Sequence, residues 1–337
     1  MGWWQVNADT LAGSRFVVSP LAEATASLIA LERGTAAHPG ERAWLDAHQP
    51  AYQERLAADP VTALLVRAAL GHRWIADFLT MAPTGEGEPA DDGEPTISEE
   101  LARMRHRSPE AAGADLTVSL GGPLPAKLHR SDLPERAADL LEWEWTETVL
   151  PYWPRRRRIM EADVVARTRQ LSLGGWAAAL DDMRPGMRWL GEGRLQINAY
   201  NYPPRRIAGA QLLFVPVTPR QGWVSWDEPH RYAVMYPCAG VLAQADPAPV
   251  PEALGALLGP ARAGVLVLLD TPKSTTQLVA LTGQGLGSVG RHLKVLLDAR
   301  LVQRRRAGRS VLYSRTHPGD ILVNAQPASS GAHGELG

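Results

Sequence analysis

The chain has few of the residues that build disulfides, metal sites and membrane spans. It contains one cysteine, Cys238, in 337 residues, which excludes an intrachain disulfide and a zinc site made of several cysteines. No window approaches the roughly 18 consecutive apolar residues of a membrane-spanning helix, and the N-terminus lacks the basic start and apolar run of a signal peptide. These absences predict a soluble, cytoplasmic protein with no membrane partner.

Motifs of catalysis and cofactor binding are missing as well. The sequence has no GxSxG nucleophile elbow, no HExxH metal motif, no phosphate-binding glycine loop and no dinucleotide fingerprint. The glycine-rich GQGLGS at Gly283 has neither the Lys-Ser/Thr pair nor the preceding strand of a phosphate cradle. The histidines show no short metal-ligand spacing. The prediction is a protein that is not an enzyme, with no catalytic residues, cofactor or metal.

The net charge of −1 conceals an uneven distribution. Between residues 251 and 320 there are ten Lys and Arg against four Asp and Glu, a net charge of +6, so the rest of the chain carries −7. Such asymmetry is expected when one module binds a polyphosphate and the other does not. A basic face that is merely solvated is the alternative.

Length and composition predict two domains in an α+β chain. An acidic, Pro- and Gly-rich loop at 82–96, a proline-rich linker at 246–251 and a polar tail at 324–337 mark the boundaries. The N-terminal domain therefore spans 1–245, and the C-terminal domain spans 252–323.

The N-terminal domain is predicted to be mainly helical with late β-hairpins. Ser19-Pro20 and Gly34 are start and stop signals for a helix over 20–33. Further helices are predicted over 60–80, 97–107, 132–149 and 152–173. After Gly174-Gly175 the pattern favours strands, at RLQIN from Arg194, QLLFVPV from Gln211 and YAVMY from Tyr232.

The most informative stretch is 281–313, which predicts an amphipathic helix. Its apolar residues recur at three- and four-residue steps: Leu286, Val289, Leu293, Leu296 and Leu297. The polar and basic residues fall mostly on other faces: Ser288, Arg291, His292 and Lys294. This pattern is typical of a recognition helix, which presents side chains to the DNA major groove.

Two strand-like runs follow around Ala307-Gly308 and predict a hairpin with a basic tip. The tip carries Arg304, Arg305, Arg306 and Arg309, followed by Ser310. A basic hairpin beside such a helix is a wing, whose arginines reach the minor groove or the DNA backbone. Upstream, helices are predicted over 252–258, 261–269 and 275–281. The last is a positioning helix whose Thr275, Thr276 and Gln277 suit phosphate contact. These parts, in this order, predict a winged helix-turn-helix that binds double-stranded DNA.

The segment 258–316 resembles the arsenical-resistance-repressor (ArsR) family of bacterial winged-helix regulators. RHLKVLLDARLVQRRRAGRSVLY, residues 291–313, is its most specific part. The segments 7–31 and 149–175 resemble an N-terminal domain of unknown function found on some members. The resemblance implies a homodimer on a pseudo-palindromic operator, with transcription altered when an effector binds.

The chain departs from the family pattern at three places. KSTTQL at 273–278 contains no Cys, His, Asp or Glu, so a thiolate metal sensor is not expected. Gly285, Gly287 and Gly290 replace the short polar residues at the start of the recognition helix, which removes side chains that could read bases. The final helix is missing or short, so dimer contacts are expected from the N-terminal domain or the helix at Glu252.

Tryptophans and arginines of the N-terminal domain allow two interpretations each. Trp143, Trp145 and Trp153, or Trp223 and Trp226, line an aromatic ligand pocket or serve as core and interface residues. The run 155–158 is a second phosphate contact or a salt-bridged helix face. Cys238 is by default a buried structural thiol, and a redox sensor is the other reading.

The sequence thus predicts a one-component transcriptional regulator that binds operator DNA as a homodimer and responds to a small-molecule effector through its N-terminal domain. A protein-interaction module with a degenerate winged helix is the alternative. An enzymatic N-terminal domain is the third reading, and no catalytic residues favour it.

Overall fold

The computed structural model describes residues 2–36, 39–71, 73–84, 96–181, 183–200, 202–238, 250–270, 272–307 and 310–324. The chain forms two compact units, Met1–Cys238 and Ala239–Gly337, named here the N-terminal unit and the C-terminal unit. Most of the predicted loop at 82–96, linker at 246–251 and tail at 324–337 lies outside the described residues. Across the part of the chain that is described, every helix is too short or too polar to cross a membrane.

The N-terminal unit is α+β and mostly helical. Its helices are α1 (Ala8–Ala12), α2 (Pro20–Arg33), α3 (Pro39–Ala58), α4 (Pro60–Ala69), α5 (Ile97–Arg105), α6 (Pro109–Leu120), α7 (Leu133–Glu144) and α8 (Trp153–Leu180). At α2 the Ser19 hydroxyl accepts a hydrogen bond from the Ala22 amide, and Gly34 ends the helix at a φ of 62°. The helix predicted over 20–33 is confirmed.

Other predicted helices end differently in the structure. The helix predicted over 60–80 stops at Ala69, and only a 3-10 turn at Asp77–Leu79 follows. The two helices predicted over 132–149 and 152–173 are α7, a π-helical turn at Trp145–Val149, and α8, which continues past a kink at Gly175 to Leu180. The sequence analysis does not predict α3 or α6, because Pro50 lies inside α3 and α6 has little amphipathic periodicity.

The strands of the N-terminal unit form two sheets. They are β1 (Trp3–Gln5), β2 (Arg15–Phe16), β3 (Arg188–Trp189), β4 (Arg194–Gln196), β5 (Arg205–Arg206), β6 (Gln211–Val217), β7 (Val224–Asp227) and β8 (Arg231–Pro237). One sheet has the order β3-β4-β1-β5 and the other the order β2-β6-β8-β7. Late hairpins exist at β3–β4 and β7–β8, but the long central strands β6 and β8 are parallel. Nearly every residue of β6 is buried, which explains its continuous apolar run.

Helix α2 connects the cores of the N-terminal unit. All of its residues from Leu21 to Leu31 are buried. Leu28 packs in a core formed by the helices, whereas Ile29 packs with Leu213 of β6 in a core against the sheet. Because α2 has cores on more than one side, any polar residue on it must find its partner inside the protein.

The C-terminal unit contains five helices and three strands within its described residues. They are α9 (Glu252–Leu258), α10 (Pro260–Leu268), α11 (Thr275–Thr282), α12 (Leu286–Asp298) and α13 (His317–Asn324), with β9 (Lys273–Ser274), β10 (Val302–Ala307) and β11 (Ser310–Arg315). The helices and the hairpin predicted here are confirmed as elements. Strand β9 pairs with β11 as a third strand, which the sequence does not predict. The final helix is short, as expected.

Candidate nucleic-acid interface

Helix α12 places an apolar face inward and a basic face outward. Val289, Leu293 and Leu296 are buried, and they recur at the spacing of one helical face. Arg291 and Lys294, which lie between them in sequence, are exposed. The sequence-predicted face for DNA is therefore presented to solvent.

The two remaining candidate residues of α12 are half-buried. The Ser288 hydroxyl accepts a hydrogen bond from Nη2 of Arg291 at 3.2 Å, which orients the arginine. Burial lowers the pKa of the His292 imidazole, and the nearby cations Arg262 and Arg291 lower it further. His292 is accordingly neutral at pH 7.

The hairpin of β10 and β11 exposes its arginines on both faces. Arg304 lies opposite Tyr313, Arg305 opposite Leu312, and Arg306 opposite Val311 in the antiparallel register. Because side chains alternate across a strand, Arg304 and Arg306 project from one face and Arg305 from the other. All three arginines are exposed. Arg309 and the side chain of Ser310 lie outside the described residues.

Helix α11 corrects the prediction for one of its three residues. Thr276 is buried, with 6% of its surface exposed, so its hydroxyl is not presented to a phosphate. Oε1 of Gln277 accepts a hydrogen bond from the Ser274 amide at 2.7 Å, and the Ser274 hydroxyl accepts one from the Gln277 amide at 3.2 Å. This capping box is visible in the sequence as S-x-x-Q and explains Gln277 without DNA. Thr275 is half-buried.

The tryptophans proposed for a ligand pocket lie in different places. Trp145 and Trp153 contact each other edge to face at 4.9 Å, and both belong to the helical core or pack against it, as does Trp143. Trp223 is buried in the core between α2 and the sheet. Trp226 contacts Trp74 at 5.5 Å. Packing accounts for these positions, in agreement with the core interpretation.

Arg155–Arg158 do not form one uniform basic face. Arg157 pairs with Glu161 at 2.9 Å, one turn along the helix, as the salt-bridge interpretation predicts. Arg156 instead points inward, where Nη1 donates to Oε1 of Glu23 at 2.7 Å and to the Ser27 hydroxyl at 2.8 Å. The sequence gives no signal that separates these neighbours, since the difference depends on the buried face of α2.

Metal and thiol chemistry find little support in the described residues. Among them, no three His, Cys, Asp or Glu side chains stand close enough to hold a metal ion. Cys238 is buried at the end of β8, and burial raises the pKa of its thiol well above the ordinary value. A thiol held neutral in this way fits the structural reading of Cys238.

A scan against protein-family models and searches of curated proteins and of solved structures find no match to this chain. Its function must therefore be argued from its own residues.

Proposed function

We propose that this protein is a DNA-binding transcriptional regulator whose C-terminal unit is a winged helix-turn-helix of the ArsR type. The observation that carries the proposal is the combination of two exposed basic surfaces on neighbouring elements. Helix α12 exposes Arg291 and Lys294, and it packs against β10, which exposes Arg304, Arg305 and Arg306. A helix for the major groove beside a basic hairpin for the backbone is the geometry by which such modules bind duplex DNA.

The proposed regulator works as a one-component homodimer on operator DNA. Two copies of α12 enter successive major grooves, and the hairpins neutralise backbone phosphates beside them. The N-terminal unit dimerises, binds a small-molecule effector, or does both. Effector binding alters the distance or orientation of the two C-terminal units, and because half-sites have a fixed spacing this changes the affinity for the operator.

Removing single arginines of this surface tests the proposal. We expect Arg291→Ala and Arg304→Ala each to weaken binding to a duplex of about 30 base pairs, long enough for two half-sites. Each lost phosphate contact should reduce the slope of log affinity against log salt by about 0.9. Fluorescence anisotropy across a salt series measures both. Arg157→Ala, which removes the same charge from the N-terminal unit, is the control and should leave affinity and slope unchanged.

Unchanged affinity and slope in both variants would overturn the DNA-binding proposal. DNA from upstream of the protein's own gene, with random-sequence competitor, then separates the regulator from the alternative. The alternative is a protein-interaction module with a degenerate winged helix. One observation favours it: Val295 of α12 and Val311 of β11 are 43% and 42% exposed on the same unit. Failure to outcompete random DNA would support that module.

The glycines of α12 provide a further prediction. A Cβ added at Gly287 or Gly290 would meet nothing within 4 Å, so packing inside the protein does not require them. Each alanine should therefore raise the free energy of unfolding by about 0.5–1 kcal/mol, because glycine is a poor helix former. Both glycines lie near Arg291 on the exposed side of α12. We expect Gly287→Ala and Gly290→Ala to weaken DNA binding, since a methyl group would separate the helix from the groove.

Thermal denaturation and anisotropy on the same variants check both effects. Gly264→Ala in α10 is the matched control, because a Cβ there makes only an ordinary 3.7 Å contact with Val250. It should stabilise the helix to a similar degree and leave DNA affinity unchanged. Stabilisation without weaker DNA binding at Gly287 and Gly290 would contradict a close approach of α12 to DNA.

A further inference from the structure

Arg262 in α10 is a basic residue that the sequence patterns do not assign to DNA. It lies in the first turn of α10 and is half-buried. Its Nε atom is shielded from solvent and has no hydrogen-bond partner among the described residues. A buried guanidinium N–H without an acceptor is costly, so an acceptor from outside the chain would stabilise it.

The surroundings of Arg262 are basic. Helix α10 packs against α12, and the charges that act on the His292 imidazole are those of Arg262 and Arg291. Within the described residues no carboxylate joins these two cations in acting on His292. Three nitrogen-bearing side chains from two helices therefore converge without an anion of the protein's own.

The start of α10 adds to the attraction for an anion. Pro260 occupies the first turn, and Gly259, at the N-cap, supplies no side-chain hydrogen bond to the helix. An uncapped helix N-terminus carries partial positive charge, and phosphate is a common ligand of such ends. This positive end and the Arg262 side chain belong to the same helical turn.

We propose that Arg262, Arg291 and His292 form a subsite for one phosphate of the DNA backbone, which rests on the proposed DNA-binding function. Arg262 donates to the phosphate from α10, while Arg291 and His292 donate from α12. The subsite fixes the position of α12 relative to the backbone, a role that positions the helix without reading sequence.

Salt-dependent binding of the full-length protein to a duplex of mixed sequence tests the subsite. We expect Arg262→Ala to bind about tenfold more weakly and to lose about 0.9 from the salt slope, as for one phosphate contact. Arg262→Lys should keep the slope because the charge remains. Arg300→Ala, which removes the same charge at the opposite end of α12, should match the wild type. Thermal denaturation should show Arg262→Ala folded, since Nε has no partner to lose.

A second measurement separates DNA phosphate from free phosphate. The imidazole of His292, followed by NMR titration, should bind its proton more tightly with the duplex than with inorganic phosphate at the same phosphate concentration. Equal effects would make the subsite a free-anion site and overturn its place in DNA binding. A normal slope for Arg262→Ala beside a reduced slope for Arg304→Ala overturns the subsite but leaves the proposed function intact. No DNA binding by any of these proteins overturns both.

Discussion

Replacement of Arg156 by alanine is expected to lower the free energy of unfolding of the N-terminal unit by about 3–5 kcal/mol, the cost of leaving a buried charge without its partner. The charge left behind is Glu23 on α2, whose surface is 0% exposed. In the intact protein Glu23 accepts from Nη1 of Arg156 at 2.7 Å and from the Thr218 amide at 2.8 Å. Arg156 also lies 5.0 Å from the ring of Trp44, so the variant loses packing as well.

Its neighbour Arg157 provides the matched reference. Arg157 pairs with Glu161 at the surface, where both side chains are substantially exposed at 38% and 50%. Such pairs contribute about 0–1 kcal/mol, so Arg157→Ala should be almost neutral in urea denaturation. The double variant Glu23→Gln, Arg156→Met should lose less stability than Arg156→Ala, because no buried charge remains. Similar losses for Arg156→Ala and Arg157→Ala would contradict the buried pair.

A second large effect is expected in the pH dependence of stability. Glu144 is buried, and this burial raises the pKa of its carboxyl from 4.5 to about 8. The folded protein therefore holds this proton more tightly than the unfolded chain does. The associated stability is fully present below about pH 4.5 and is lost as the pH rises to about 8, by roughly 1.4 kcal/mol per pH unit.

Glu144→Gln removes the titrating group and keeps its shape. The variant should be less sensitive to pH than the wild type between pH 5 and 8, the difference growing with pH in favour of glutamine. Burial also raises the pKa of Glu100 to about 7, so the comparison with wild type, and not the absolute slope, is decisive. Glu147→Gln, at an exposed position in the adjoining turn, is the control. Parallel pH profiles for wild type and Glu144→Gln would contradict a neutral buried acid.

The environment of Glu144 explains why this acid is retained in neutral form. Its Oε1 accepts from the Thr148 hydroxyl at 2.5 Å, whereas Oε2 has no partner among the described residues. Thr148 lies in the π-helical turn that follows α7. The turn carries Thr148 back over the carboxyl, and one neutral hydrogen bond is cheaper to bury than an ionised group.

Elements with local signals were predictable from the sequence. The Ser19 cap and Gly34 predict α2 at its observed bounds, and apolar spacing predicts the buried side of α12. In both cases the signal lies within the element, since caps and periodicity act over a few residues. The hairpin is predicted for the same reason.

Pairing between distant segments was not predictable. Strand β1 joins β4 and β5 of one sheet, and β6 pairs in parallel with β8, although neither arrangement follows from the strands themselves. The candidate site shows the same limit. Thr276 is buried although it looks available in the sequence, and Arg262 gains its significance only from the position of α12.

The sequence by itself determined the basic C-terminal unit, the order of its helices and hairpin, and the exposed arginines of its wing, because charge and periodicity are local properties of a chain. The tertiary structure decided which charges are used inside the protein. Arg156 and Arg157 are identical neighbours, yet one is held against Glu23 and the other faces solvent. That difference arises because burial depends on which distant residues pack on each side chain, and the cost of an unpaired buried charge then fixes its partner.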